Sequence, residues 1–285
     1  MFATLLGTLP RPPLPADVAP KALVRAALDA QTTAGLDPLT DGGWWGDRPA
    51  VEAWRASTAM TQRAVKQVVV GPLSAGGASP SDAARGLNAV LRDLAGAGCP
   101  LIEIHEPALT ALGDDPGAWE RFADAHAILT DGVTGTHLSL AIVGGSVHPA
   151  GIPAVIAAPY ASLAVDLIAG PENWRLVRAA PGVRGIVCGA LSPRAGSDDG
   201  PETLLWAAAY AASGAGRGPD RVGLGTAGSL AGLPWEAGVT KLERLGAAVR
   251  LASLPADELR RRLDPRAIDA RSAALGTTDR PRPSG

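Results

Sequence analysis

His105 and Glu106 end an apolar run, Cys99 to Leu109 (CPLIEIHEPAL), that Pro107 stops. An imidazole that titrates near neutrality and a carboxylate are common choices for taking up and returning protons. In an α/β barrel, the C-terminal end of a strand is where such chemistry is done. Adjacency alone does not make the two a dyad. Consecutive strand residues point to opposite faces, so one of them faces a pocket while the other meets the helix layer or the turn. Asp166, inside the run LAVDLI (163–168), is the best buried acid, and a carboxylate in a strand interior needs a partner or a raised pKa. A salt bridge to Arg184 or Arg194 is the equally plain structural reading. His105, Glu106 and Asp166 are thus the candidate catalytic residues, suited to acid–base work.

Positioning those groups takes a repeated strand and helix rhythm. Short apolar runs read as strands at Ala3–Thr8, Leu36–Thr40, Val65–Val70, Leu101–His105, Thr136–Val143, Leu163–Ile168, Val183–Cys188 and Asp220–Leu224. Helical patterns lie between them at Ala19–Ala34, Arg48–Val65, Ser81–Ala97, Trp119–Leu129, Ile152–Ala158, Asn173–Ala180 and Glu202–Ala212, and Trp235–Ala252 closes the series. Eight strands alternating with helices about every 30 residues predict an α/β fold, a single-domain (β/α)8 TIM barrel over residues 1–252. An open doubly wound sheet is the alternative, weakened as a nucleotide binder by the absence of a GxGxxG turn after the first strand. From Pro255 the composition turns charged, so residues 253–285 read as a surface helix and a disordered end.

A barrel gathers the residues just past its strands into one ring. Those are Thr8 and Arg11, Asp41 with Trp44 and Trp45, Ser74, His105 and Glu106, Ser146 and His148, Asp166 or the Pro171-Glu172 turn, Ser192 and Arg194, and Thr226 with Ser229. The mix of hydroxyls, cations, an acid–base pair and two indoles describes a polar small-molecule pocket with an aromatic wall. Thr8, Arg11, Asp41, Trp44, Trp45, Ser74, His148 and Ser192 are accordingly the candidate substrate-binding residues. The indoles would stack a flat ligand such as a pterin, although one of such a pair commonly packs under its own loop. Arg11 would grip a carboxylate or phosphate, or tie the first loop down. His148 divides between surface and pocket, and His137, inside an apolar strand, reads as a satisfied core histidine.

Composition narrows the function classes. With 285 residues, 46% of them hydrophobic, and a net charge of −2 without charge blocks, the chain shows no footprint for nucleic acid or an anionic membrane. No stretch reaches the roughly 20 apolar residues of a membrane span, and the N-terminus lacks the pattern of a signal peptide. A cytoplasmic protein acting on a small molecule is expected, its oligomeric state open. The two cysteines, Cys99 and Cys188, lie in apolar runs and read as small buried hydrophobes without a disulfide framework.

The pieces LLGTLPRP (5–12), GLDPLTDGG (35–43), VKQVVVGPLS (65–74), GCPLIEIHEPAL (98–109) and TKLERLGAAV (240–249) resemble successive landmarks of the cobalamin-independent methionine synthase catalytic barrel. They keep the family's order and cover nearly the whole chain. The resemblance implies a zinc-dependent transfer of a methyl group from a folate, 5-methyltetrahydrofolate, to a thiol such as homocysteine. It also shows where this sequence departs. The family's Asp-Glu-Pro on its fourth strand, whose aspartate helps hold the substrate's amino group, is here His105-Glu106-Pro107, and a glutamate after the second strand, which also binds the amino acid, is here Gly43. The family's zinc is held by a His-x-Cys on strand five, a glutamate after strand six and a cysteine after strand eight. The first pair falls on His137 and Ser139 in one register or on Ala141 and Val143 in another, the latter preferred because it sets the Gly144-Gly145 turn at the strand's end. The other positions fall at Ala169 and about Gly228. Catalytic zinc takes about three protein ligands, so no metal site is expected; a replacement set drawn from His105, His137, His148 and Asp166 is the alternative.

Three functions follow. One is a methyltransferase with a new acceptor that works without the metal. The others are a lyase or decarboxylase on the barrel shared with uroporphyrinogen decarboxylases, and a non-catalytic ligand-binding or regulatory descendant.

Overall fold

A computed structural model describes residues 1–76, 79–197, 199–255 and 257–259. Seven parallel strands form one sheet in the order β1-β7-β6-β5-β4-β3-β2. They are β1 (Phe2–Thr4), β2 (Gln67–Val70), β3 (Leu101–His105), β4 (His137–Ile142), β5 (Ser162–Asp166), β6 (Gly185–Leu191) and β7 (Val222–Thr226). Helices α1 (Pro20–Ala34), α2 (Ala50–Thr58), α3 (Pro80–Gly96), α4 (Pro116–Thr130), α5 (Ile152–Ala157), α6 (Asn173–Ala179), α7 (Pro201–Ser213) and α8 (Trp235–Ala252) connect them. Every strand pair is parallel, as crossover helices require.

The expected strand at 36–40 is only one parallel bridge, Leu39 to Val65. Proline explains the reduction: Pro38 has no N–H to give a ladder. Its neighbours bond to both sheet edges instead. The Asp37 N–H donates to the Ala3 carbonyl at 2.9 Å, the Leu39 N–H to the Ala64 carbonyl at 2.9 Å, and the Lys66 N–H to the Leu39 carbonyl at 2.9 Å. The first strand is shorter than the apolar run predicts. Past Thr4 its pairing passes to a side chain, because Thr226 Oγ1 accepts from the Leu6 N–H at 3.0 Å and donates to the Leu6 carbonyl at 2.8 Å. The expected second helix, Arg48–Val65, also shrinks to nine residues.

Two apolar layers separate the sheet's faces. Ile102, Ile104, Leu140, Leu163 and Val165 belong to the large core under the helices, where a sheet covered on its face needs continuous apolar runs. The other face carries a second, smaller cluster of Leu6, Ala141, Ala164 and Val187, with Phe2 packed against it. Residues Glu103 and His105 alternate with Ile102 and Ile104, so they share this inner face. No helix among the described residues is long and apolar enough to cross a membrane. The expected tail lies outside the described residues from Arg260 onward.

Both cysteines are fully buried and free. Burial pushes the Cys99 thiol up to about 11 and the Cys188 thiol up to about 12, which leaves almost no thiolate at neutral pH. A thiol-specific chromogenic reagent is therefore expected to label neither in the native protein and both once guanidinium unfolds it; prompt native labelling of either would contradict this burial.

Candidate functional site

Three ionisable side chains meet on the inner face. Lys66, just before β2, places its Nζ 2.7 Å from Glu103 Oε2, and Glu103 Oε1 lies 2.7 Å from His105 Nε2. The Lys66 and Glu103 side chains are 0% and 2% exposed, and His105, at the C-terminal end of β3, is 12% exposed. Burial by itself would push the Glu103 carboxyl up. The Lys66 ammonium and the bond from His105 outweigh it and hold the group down at about 2. Burial pushes the Lys66 amine down, with Glu103 opposing. An ionised Glu103 accepts, so His105 donates through Nε2–H, and in the neutral ring the nitrogen without a proton is then Nδ1.

Glu106 takes the other side, as the alternation requires. It is fully buried among the helices, where it accepts from the Leu73 N–H at 3.0 Å and from Ser74 Oγ, and pairs with His126 Nε2 at 3.2 Å. Ser74 in turn accepts from the Ala108 N–H at 3.1 Å, and His126 Nδ1 pairs with the Tyr160 hydroxyl. Gly71 makes room for this network, since a Cβ there would lie 2.2 Å from Glu106 Oε2. Glu106 and Ser74 thus tie the end of β3 to the loop after β2.

Asp166 ends β5 and is 2% exposed. It forms neither predicted salt bridge. Oδ1 accepts from the Ile168 and Ala169 N–H groups at 2.8 Å each, and Oδ2 from the Gly144 N–H at 3.0 Å, so this carboxylate shapes the loops after β4 and β5. Arg184, one of the predicted partners, bonds instead to the carbonyls of Val155, Ile156 and Ala158.

The other expected binding residues divide. Thr8 shares a hydrogen bond with Ser229, and Gly43, at φ +83°, lies so close to Thr8 that a Cβ would sit 2.4 Å from its Cγ2. A glutamate at 43 has no space here. Arg11 donates to the Pro15 and Ala16 carbonyls at 3.0 Å each and stands 6.0 Å from the Trp44 ring centre. Trp44 is half-buried, and its Nε1 is buried without a partner among the described residues. Burial raises the Asp41 carboxyl, with the Gly43 N–H opposing. Trp45 packs under its own loop, donating to Ser57 Oγ at 2.7 Å with Arg48 4.3 Å over its ring. His148 is exposed and accepts from the Ala150 N–H at 3.3 Å, which caps a short turn. Ser192 is buried, with its N–H on Asp199 and its Oγ accepting from the Arg194 N–H at 3.2 Å.

The two candidate pairs on β4 lie at different levels of the sheet. His105 pairs with Ala141, whereas His137 pairs with Leu101 at the opposite end of the sheet. His137 Nε2 meets Ser162 Oγ at 2.8 Å there, too far along the strand to join His105 in one metal site. At the level of His105 the chain offers Ala141 and Val143, with Ala169 and Gly228 at the other two positions; this set has no donor fit for zinc. No group of three or more His, Cys, Asp and Glu among the described residues is placed to hold a metal ion.

Comparison with known proteins fixes the fold type. The chain is similar to a B12-independent methionine synthase from Shewanella sp. W3-18-1, solved in complex with selenomethionine, at a TM-score of 0.72 and 15% identity, over 91% of this chain and 98% of that one. The putative vitamin-B12 independent methionine synthase of Listeria monocytogenes gives 0.67 and 14%, over 88% and 96%. A methyltransferase from Methanosarcina mazei gives 0.53 and 14%, over 72% and 64%. The chain has a TIM-barrel-like α/β fold. No protein-family profile matches the sequence, and no curated protein does.

Sequence reasoning passed over Lys66 and Glu103 because both sit inside apolar runs. A signal existed: Glu103 and His105 are two apart in a strand and must share a face.

Replacing Glu103 with Gln strands the Lys66 ammonium and is expected to cost about 3–5 kcal/mol in urea unfolding. The wild-type carboxyl has a folded-state pKa of about 2 against an ordinary 4.5, so its contribution is present above pH 4.5 and is lost as the pH falls toward 2. Stability measured against pH is therefore expected to fall more shallowly across that window in Glu103→Gln; an equal slope would show that this group is not the one titrating. In the helix layer, Gly71→Ala drives a methyl into Glu106 and is expected to cost about 1–3 kcal/mol by the same measurement.

Proposed function

We propose that the chain is a small-molecule methyltransferase of the methionine synthase-like kind, built on a (β/α)8 barrel in which residues 37–39 stand as the eighth strand. It takes a methyl group from a folate-type donor without zinc and passes it to a small acceptor that carries no ammonium group. One observation carries this reading: His105, at the C-terminal end of β3, has its Nε2 held 2.7 Å from the Glu103 carboxylate, which in the neutral ring turns Nδ1 into the nitrogen that can take a proton.

The step follows from that arrangement. The acceptor's X–H bond breaks, its proton goes to His105 Nδ1, and X attacks the methyl carbon. The bond from methyl to the donor nitrogen breaks, and the proton returns from His105 to that nitrogen. A neutral imidazole does what a metal does for a thiolate, at a less depressed acceptor pKa. Glu103 touches neither reactant and is a positioning residue. It fixes the tautomer and supports the imidazolium that forms, while Lys66 keeps Glu103 ionised.

Acceptor choice rests on the two departures from the resembling family. The position of an amine-binding aspartate is His105 and that of a glutamate is Gly43, where Thr8 leaves no space for a longer side chain. For the donor, Trp44 offers a ring face with Arg11 beside it, and the Asp41 carboxyl stands next in the loop, groups that suit a flat, hydrogen-bonding heterocycle. A small-molecule substrate, rather than nucleic acid or membrane, is in keeping with the weak net charge.

Titration with 5-methyltetrahydrofolate followed by tryptophan fluorescence tests the reading. Saturable quenching is expected, lost in Trp44→Ala and kept in His105→Ala. With 3-mercaptopropionate as acceptor, tetrahydrofolate should form in the wild type, at least 100-fold more slowly in His105→Ala, and more slowly with homocysteine. Absence of folate binding at millimolar concentration would end the methyl-donor proposal.

A further inference from the structure

A cavity of about 580 Å³ opens at the N-terminal end of the strands, opposite His105. Its walls include Phe2, Pro38, Leu101 and Ile186, and they are mainly apolar. The space exists because the inner face carries small residues there. Ser139, Ser162 and Gly185 stand where bulky branched side chains commonly fill a barrel.

The polar groups in this cavity are unequal. Ser139 is 1% exposed, lines the cavity, and its Oγ is buried with no hydrogen-bond partner. Lys66 also lines it, with Nζ bonded to Glu103 and to no other group among the described residues. His137 and Ser162 satisfy each other at 2.8 Å. The Ser139 hydroxyl therefore lacks any acceptor among the described residues, which is costly for a buried donor, and the Lys66 ammonium has one acceptor for its three N–H groups. An acceptor atom from outside would accept from both.

Charge limits what carries that acceptor. Lys66 is already paired with Glu103 at 2.7 Å, so an incoming carboxylate would add an uncompensated negative charge beside a buried one. The cationic Arg221 and the acids Asp37 and Asp220 belong to the cavity's lining, and Asp37 has its own partner in Arg63 at 3.9 Å.

We infer that the N-terminal cavity is a second binding site, taking an uncharged, mainly apolar molecule of about ten to twenty non-hydrogen atoms whose single carbonyl or hydroxyl oxygen accepts from Ser139 and Lys66. The site is separate from the His105 end and does not depend on the methyl-transfer reading. Through Lys66 and Glu103 it reaches the same buried carboxylate that holds His105.

The probe is 4-phenylbutan-2-one, titrated calorimetrically into the full-length protein. One molecule per chain is expected. Ser139→Ala should weaken binding about fivefold to tenfold, and Ala161→Trp, at the exposed rim of the cavity, should abolish it. Trp44→Ala, at the other end, should leave the affinity unchanged, and 4-phenylbutanoate should bind at least tenfold more weakly than the ketone. No binding at millimolar ketone, binding that survives Ala161→Trp, or a carboxylate as tight as the ketone would each overturn the inference. None of these results bears on whether folate binds.

Discussion

Glu103 is a carboxylate sealed inside the fold, and the inner face is arranged around keeping it charged. A lone buried carboxylate is far too costly to stay ionised, so its two oxygens are divided between an ammonium on one side and an imidazole on the other. Removing Lys66 would leave the carboxylate's charge without compensation, and removing His105 would leave one of its oxygens without a hydrogen bond. The pair also orders the sheet, since Lys66 comes from the chain entering β2 and both Glu103 and His105 belong to β3. What the arrangement yields is a histidine with one nitrogen committed and one free. In its neutral form such a ring has its tautomer set by the carboxylate beside it.

The neighbouring residue shows the same chemistry put to another use. Glu106 also has a histidine partner, but His126 comes from α4, and both are completely buried. With Leu73, Ser74 and the Tyr160 hydroxyl, the network joins the end of β3 to the adjacent loop, to α4, and to the chain entering β5. Phe122 and Tyr160 pack their rings against His126, which excludes water. One carboxylate therefore aims a side chain at the open end, while the next fixes the scaffold around it. The single-residue step in the strand is what separates them.

The strand and helix order was legible because parallel strands covered by helices are written as plain apolar runs. Helix α8 starts and stops where the pattern predicts, at Trp235 and Ala252. Segment 36–40 was legible as a strand by composition but not as a bridge, since the effect of Pro38 on pairing depends on which neighbour needs the missing N–H. At the site, alternation foretold that His105 and Glu106 would part, without saying which would face inward. Trp44 and Trp45 could not be told apart, because a consecutive pair of indoles in a loop has no period to follow. Lys66 was hidden by its setting: an amine among valines reads as an interruption until its partner, 37 positions away, is placed beside it.

Similarity in backbone without similarity in sequence has a physical basis here. The apolar layer beneath the helices sets the strand spacing and tolerates exchange among residues of like volume, so a fold can hold at 15% identity. The inner face is under no such demand. Along β4 it carries His137, Ser139 and Ala141, along β5 Ser162 and Ala164, and along β6 Gly185 and Val187. Small side chains at these positions leave room along the inner face, and one long lysine reaches along the neighbouring strand to a carboxylate. The same choice of residues thus gives an enclosed ion pair at the centre and open space at one end, and it leaves the end near His105 to be furnished by loops. Chemistry on this frame is decided by a few inward positions, which is why a strong likeness in fold leaves the reaction to be argued from those positions alone.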